Sequence, residues 1–125
     1  MSGARVLVVE DDAIYAKLVR LLLAAAGHAA VVASTAEAAL RTAREERPDL
    51  ILMDVGLPGM DGFAALELLR RDPLLAGIPA IGMTADRVSA DQVNRATAMG
   101  FDSYVEKPVN VGTLQQVLEP YFGSR

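Results

Sequence analysis

The stretch Leu50-Ile51-Leu52-Met53-Asp54-Val55-Gly56-Leu57-Pro58-Gly59 decides the fold. Four apolar residues run into a carboxylate, and a loop of turn formers follows at once. That is the pattern of a buried strand delivering Asp54 to the edge of a sheet. The arrangement recurs along the chain. Arg5-Val6-Leu7-Val8-Val9 runs into Glu10-Asp11-Asp12, Pro79 to Met83 ends at Thr84, and Tyr104-Val105 leads through Glu106 to Lys107-Pro108. If the strands are parallel, these ends meet on one rim, which then holds three or four carboxylates, a hydroxyl and a lysine.

Helical spacing fills the intervals. Ile14, Leu18, Leu21, Leu22 and Ala25 predict a first helix closed by Gly27, with Asp12 placed to cap it. A short strand over 29–33 follows. Ser34 and Glu37 have capping-box spacing and open an Ala-rich second helix to about Glu46. Asp61 caps a third helix with Phe63, Leu66 and Leu69 on one face, stopping near Asp72-Pro73. Ser89 caps a fourth, carrying Val93, Ala96 and Met99 and closed by Gly100. Asn110 caps a fifth, with Val111, Leu114, Leu118 and Tyr121 on one face. Pro120 lacks an N–H and crowds the preceding turn, so this helix is expected to bend or end there. Five strands alternating with five helices imply an α/β fold, an open parallel sheet covered on both faces, with its ligand site beyond the carboxyl ends of the strands.

Composition bounds the function. The 125 residues suffice for one domain with one core. Hydrophobic residues make up 52% and aromatics only 5%, so Ala, Val, Leu and Ile must build that core. A net charge of −4 gives no electrostatic basis for binding nucleic acid or membrane. With no cysteine, disulfides, thiolate metal sites and cysteine nucleophiles are excluded. No stretch approaches the roughly 20 apolar residues of a membrane span, and no signal peptide opens the chain, so a soluble cytoplasmic protein is expected. The Met1 start and the close of the last helical pattern read as a complete single-domain protein, 1–125, without an output domain.

Crowded acids need a cation. Glu10, Asp11 and Asp54 on one rim would raise one another's pKa values unless a positive charge intervenes. A hard divalent ion with oxygen ligands relieves this, and Mg²⁺ suits a site with few carboxylates that also receives a phosphate. A carboxylate beside Mg²⁺ and a lysine can attack a phosphoryl donor and become an acyl phosphate. Lys107 would neutralise phosphoryl oxygens and Thr84 would donate a hydrogen bond. A cis peptide at Pro108 would fix the lysine's direction. Taken singly, these residues have plainer roles: Asp12 as a helix cap, Thr84 as a strand end, Tyr104 as core cover.

Four segments together resemble the receiver domains of bacterial two-component response regulators: Val8 to Asp12, Leu52 to Val55 with Leu57 to Gly62, Met83-Thr84-Ala85, and Tyr104 to Pro108. The likeness spans nearly the whole chain. It implies a flavodoxin-like (βα)5 fold with strand order 2-1-3-4-5. Asp54 then matches the aspartate phosphorylated by a phosphohistidine donor. Asp11 and the Gly56 backbone carbonyl match Mg²⁺ ligands beside Asp54, and Glu10 matches a ligand acting through water; Mn²⁺ is able to substitute. Thr84 and Tyr104 match the switch pair and Lys107 the lysine that bridges to the phosphoryl group. Gly56 and Asp86 occupy the two variable positions that tune phosphoryl lifetime. Gly56 leaves room for attacking water.

The resemblance also implies partners: a sensor histidine kinase or histidine phosphotransfer protein as donor, and a downstream protein on the helix 4, β5 and helix 5 face. A monomer or a weak phosphorylation-dependent dimer is expected. The Lys107-Pro108-Val109-Asn110 ending is similar to single-domain cell-cycle and hybrid-kinase receivers. Three other readings carry specific difficulties. A phosphohydrolase would want a second acid where Gly56 stands, and a degenerate binding module has no use for an intact Asp11, Asp54, Thr84 and Lys107. A nucleotide-binding domain needs a Gly-rich loop after the first strand. His28 reads as a surface turn residue, Leu23 and Leu74-Leu75 as partly exposed, and the charges of helix 2 as a solvated face.

Overall fold

The computed structural model describes residues 4–57 and 59–122. Five strands, β1 (Arg5–Val9), β2 (Ala29–Ala33), β3 (Leu50–Asp54), β4 (Ala80–Thr84) and β5 (Ser103–Glu106), alternate with five helices. These are α1 (Ala13–Ala25), α2 (Ala36–Glu46), α3 (Gly62–Arg71), α4 (Ala90–Met99) and α5 (Val111–Phe122). The strands form one parallel sheet in the order β2-β1-β3-β4-β5. This is the flavodoxin-like arrangement expected from the sequence.

Strand alternation divides the core. Leu7, Val9, Ile51 and Met53 face one side and pack with Ala36, Ala39 and Ala43 of α2, Ala65, Leu66 and Leu69 of α3 and Ala96 of α4. Val6, Val8, Leu50 and Leu52 face the other side, with Val19 and Leu23 of α1 and Leu114 and Leu118 of α5. Because both faces are covered, β1, β3 and β4 read as unbroken apolar runs. Alanines along α2 let that helix lie close to the sheet.

Capping follows the sequence closely, with one displacement. The Asp12, Asp61, Ser89 and Asn110 side chains accept from the first-turn amides of α1, α3, α4 and α5. Ser89 and Gln92 close a reciprocal capping box. For α2 the cap is Thr35, accepting from Ala38 N at 3.1 Å, and not Ser34. Two adjacent hydroxyl residues made the register ambiguous, and the one whose backbone turns extended immediately before the helix takes the role.

The expected apolar faces needed correction. In α1, Ile14 is 84% exposed and Leu18 and Leu21 are also exposed, while Ala16, Val19 and Leu23 face the sheet. Both stripes have helical spacing, so periodicity alone could not choose between them. Met99 of α4 and Val111 and Tyr121 of α5 are likewise exposed. Leu75 is buried and only Leu74 of that pair is exposed. α5 continues through Pro120 to Phe122. Pro120 and Gln116 are both exposed, so the carbonyl that loses its helical partner stays open to water. His28 is half-buried: its Nδ1 accepts from Ala4 N at 3.0 Å, and its ring lies 5.3 Å from that of Phe122.

At the end of the sheet away from Asp54, Arg70 binds four groups. Its guanidinium donates to the carbonyls of Gly100, Ala76 and Ile78 and to Asp102 Oδ2. Asp102 Oδ2 also accepts from Ala80 N at 2.8 Å. The segments leading into β4 and β5 are thereby tied to α3, which fixes where those strands end on the opposite rim.

The two stripes of α1 separate in a stability measurement. Leu23→Ala should cost about 2–5 kcal/mol, whereas Ile14→Ala should change stability by less than about 0.5 kcal/mol. Denaturant unfolding of both variants checks this, and comparable losses would reverse the assignment of the faces.

Candidate functional site

Strand register builds the site as a staircase. Val9 pairs with Met53, so Glu10 and Asp54 emerge level with each other. Asp54 pairs with Met83, which places Thr84 one step further along. Thr84 pairs with Glu106, so Lys107 lies one step beyond that. The amide of Lys107 donates to the Thr84 carbonyl at 2.7 Å and continues the ladder past the end of β5. Four chemically active side chains are delivered by the last residues of four neighbouring segments.

Carboxylate oxygens of Glu10, Asp11 and Asp54 all lie within 4.8 Å of one another. Glu10 is only 1% exposed and Asp54 6%, while Asp11 is open to solvent. At that separation and an effective dielectric of about 20, two full charges repel by about 3 kcal/mol. Lys107 Nζ supplies the compensation, 2.8 Å from Glu10 Oε1 and 3.4 Å from Asp54 Oδ2. Glu10 Oε2 accepts from Asp12 N at 3.1 Å. Its Oε1 is fully buried and has the close ion pair with Lys107 but no hydrogen bond of good angle.

The pKa directions follow from this crowding. Burial pushes the Glu10 carboxyl up; the Lys107 contact and the Asp12 amide pull it back, and the charge of Asp54 raises it further. For Lys107, burial alone would lower the ammonium, but Glu10 and Asp54 together outweigh that and hold it above its ordinary range. Among the described residues, three acids answered by one base leave the site short of positive charge. The buried Glu10 oxygen without a hydrogen bond and an all-oxygen donor set fit a hard divalent cation.

The remaining candidates surround this cluster. Asp54 Oδ1 accepts from Gly56 N at 2.9 Å. A Cβ built on Gly56 would stand 3.6 Å from that oxygen, so its absence leaves open space beside the carboxylate. Thr84 is buried, and its hydroxyl oxygen accepts from Asp86 N at 3.1 Å. The Asp86 side chain is exposed. The Lys107–Pro108 peptide is cis. Pro58 lies outside the described residues.

Tyr104 stands apart from the acids. Its ring joins Phe63 and Phe101 in an aromatic cluster, with centroids 6.3 and 6.0 Å away. It sits directly over Gly82, its neighbour in the sheet, where a Cβ would come within 2.7 Å of the ring. Gly62 serves a related purpose: a Cβ there would meet the Val55 backbone at 2.6 Å, so α3 can start close behind Asp54.

Three contributors escaped the sequence reading. Gly82 and Gly62 matter through backbone proximity, which only the fold creates, although a glycine inside a strand pattern is a recognised sign of close approach. Tyr15 is the third. Its hydroxyl accepts from Val109 N at 3.0 Å, and Lys107 Nζ lies 4.7 Å from its ring centroid. Burial pushes its phenol up. It follows three residues after the Asp12 cap, and helix side chains lean toward the N-terminus, which here is the rim.

Comparison with known proteins agrees with this fold. Residues 6–119 match the response regulator receiver domain. The polar-differentiation response regulator DivK of Brucella anthropi is 36% identical over 118 residues, covering 94% of this chain and 95% of that protein. Among solved structures, the chemotaxis protein CheY4 of Vibrio cholerae superposes with a TM-score of 0.87 at 28% identity, over 97% of this chain and all of that one. The receiver domain of the sensor histidine kinase PA1611 of Pseudomonas aeruginosa, which holds a magnesium ion in its active-site cleft, gives 0.86 at 29% identity, over 98% of this chain and all of that one. The chain belongs to the response regulator receiver domain family and with it to two-component signalling.

Proposed function

We propose that this chain is a phosphorylation-controlled switch in which Asp54 accepts a phosphoryl group from a phosphohistidine donor. The observation that carries the reading is the placement of Asp54 Oδ2 3.4 Å from Lys107 Nζ with two further acids within reach. A carboxylate oxygen of Asp54 attacks phosphorus. An O–P bond forms, the P–N bond breaks, and its electron pair leaves with the imidazole, which takes a proton from solvent. Mg²⁺ held by Asp11, Asp54, the Gly56 carbonyl and, through water, Glu10 would neutralise charge on the phosphoryl oxygens.

The chain's own groups then respond. Lys107 is free to exchange part of its contact with Asp54 for a phosphoryl oxygen. The Thr84 hydroxyl, which accepts from Asp86 N, retains a proton to donate. Phosphorylation adds about −1.5 to −2 charges at this rim, and the population of the active conformer shifts by the difference in how well the two conformers bind them. Tyr104 reports that change on the surface of α4, β5 and α5, where a downstream protein is read. Release occurs by attack of water on the acyl phosphate, with Gly56 leaving its path open and Asp86 beside it. The donor is a histidine kinase or a histidine phosphotransfer protein. The exposed apolar ridge of Ile14, Leu18 and Leu21 starts beside the rim and offers that donor a surface.

Incubation with a small acyl phosphate should add one phosphoryl group in intact-mass measurements, only with Mg²⁺ and not in Asp54→Asn. A gain that survives Asp54→Asn would place the chemistry elsewhere. Gly56 lacks a positive φ, so a side chain there is unstrained and would project beside Asp54 Oδ1. Gly56→Leu should therefore lengthen the phosphoryl lifetime several-fold, and an unchanged decay would show that water approaches from another side.

A further inference from the structure

Tyr15 makes two polar contacts with the lysine segment. Its hydroxyl accepts from the amide of Val109, 94 positions away in sequence and two residues after Lys107. Its ring lies under the Lys107 ammonium, 4.7 Å from centroid to Nζ. Lys107 is thus held at three places: its own amide on the Thr84 carbonyl, the amide two residues on against Tyr15, and its charged end over the Tyr15 ring. We infer that Tyr15 is a positioning residue for Lys107 in phosphoryl transfer at Asp54, an inference that rests on the phosphoacceptor role proposed above.

A lysine side chain has four rotatable bonds, and its ammonium is a mobile point charge. Glu10 alone, at 2.8 Å, would draw that charge away from Asp54 and toward the interior. The negative face of an aromatic ring attracts a cation without taking a proton from it. The ring therefore holds Nζ between the two acids, and the 3.4 Å contact with Asp54 leaves only a short movement to reach a phosphoryl oxygen. The hydroxyl keeps the ring in place by anchoring it to the chain that follows the lysine. Tyr15 also borders the apolar cluster of α1 and α5, so the alternative is a role in packing alone.

Those two roles separate through Lys107. The affinity for trifluoroberyllate in Mg²⁺, a stable mimic of the phosphoryl group, is measured for the wild-type chain, Tyr15→Phe and Tyr15→Leu, each in the native and in the Lys107→Ala background. Tyr15→Leu should bind the mimic roughly tenfold more weakly, with Tyr15→Phe, which keeps the ring, in between. In the Lys107→Ala background Tyr15→Leu should have no further effect, because the group it positions is gone. Equal losses in both backgrounds, or no loss in either, would overturn the inference, and should Tyr15→Leu fail to fold, the same comparison is made with Tyr15→Phe. A wild-type chain that does not bind the mimic would instead overturn the phosphoacceptor role itself.

Discussion

Like charges held closer than they would choose to be are the constraint on which this structure depends. Glu10 and Asp54 are buried side by side, with Asp11 at the opening and one ammonium to offset them. Left to itself, such a cluster would separate or take up protons. Here it cannot separate. The acids sit at the ends of neighbouring strands whose register is set by apolar residues on both faces of the sheet, and slipping one strand by one residue would turn its core side chains to the wrong face. Packing thus does work against electrostatics, and the remaining charge imbalance leaves the rim with an oxygen donor set that fits a divalent cation.

The same sheet joins this site to a distant surface. Thr84 ends β4 among the polar groups, while Tyr104 lies two steps back on the adjoining strand, over Gly82 and against Phe63 and Phe101. Glu106, between Tyr104 and Lys107, accepts from Val88 N at 3.0 Å and so ties the β4–α4 loop to β5. A shift of the Thr84 segment toward a phosphoryl group would therefore load the connection to α4.

Much of this was legible in the residues. Strand ends, caps and the order of elements follow from short-range chemistry: a carboxylate after an apolar run, a glycine after a helix, an Asp or Ser before one. The acidic cluster and Lys107 were legible because parallel strands have one carboxyl rim. What was not legible depended on direction and distance. Ile14, Leu18 and Leu21 have the same spacing as a buried stripe, yet the turn after Asp12 aims Val19 and Leu23 at the sheet instead. Ser34 and Thr35 compete for one cap. Pro120 is tolerated because its orphaned partner carbonyl faces water. Tyr15 had no motif at all; its importance arises only when α1 meets the segment after β5.

Calorimetric titration with Mg²⁺ tests the charge account most directly, since it needs no phosphoryl donor. One ion per chain should bind in the wild type, and Asp11→Asn should abolish that binding. Lys107→Ala should bind Mg²⁺ more tightly than the wild type, because the competing positive charge beside Asp54 has been removed. Weaker binding in Lys107→Ala, or binding that survives Asp11→Asn, would contradict the view that these acids form an under-compensated cation site around Asp54.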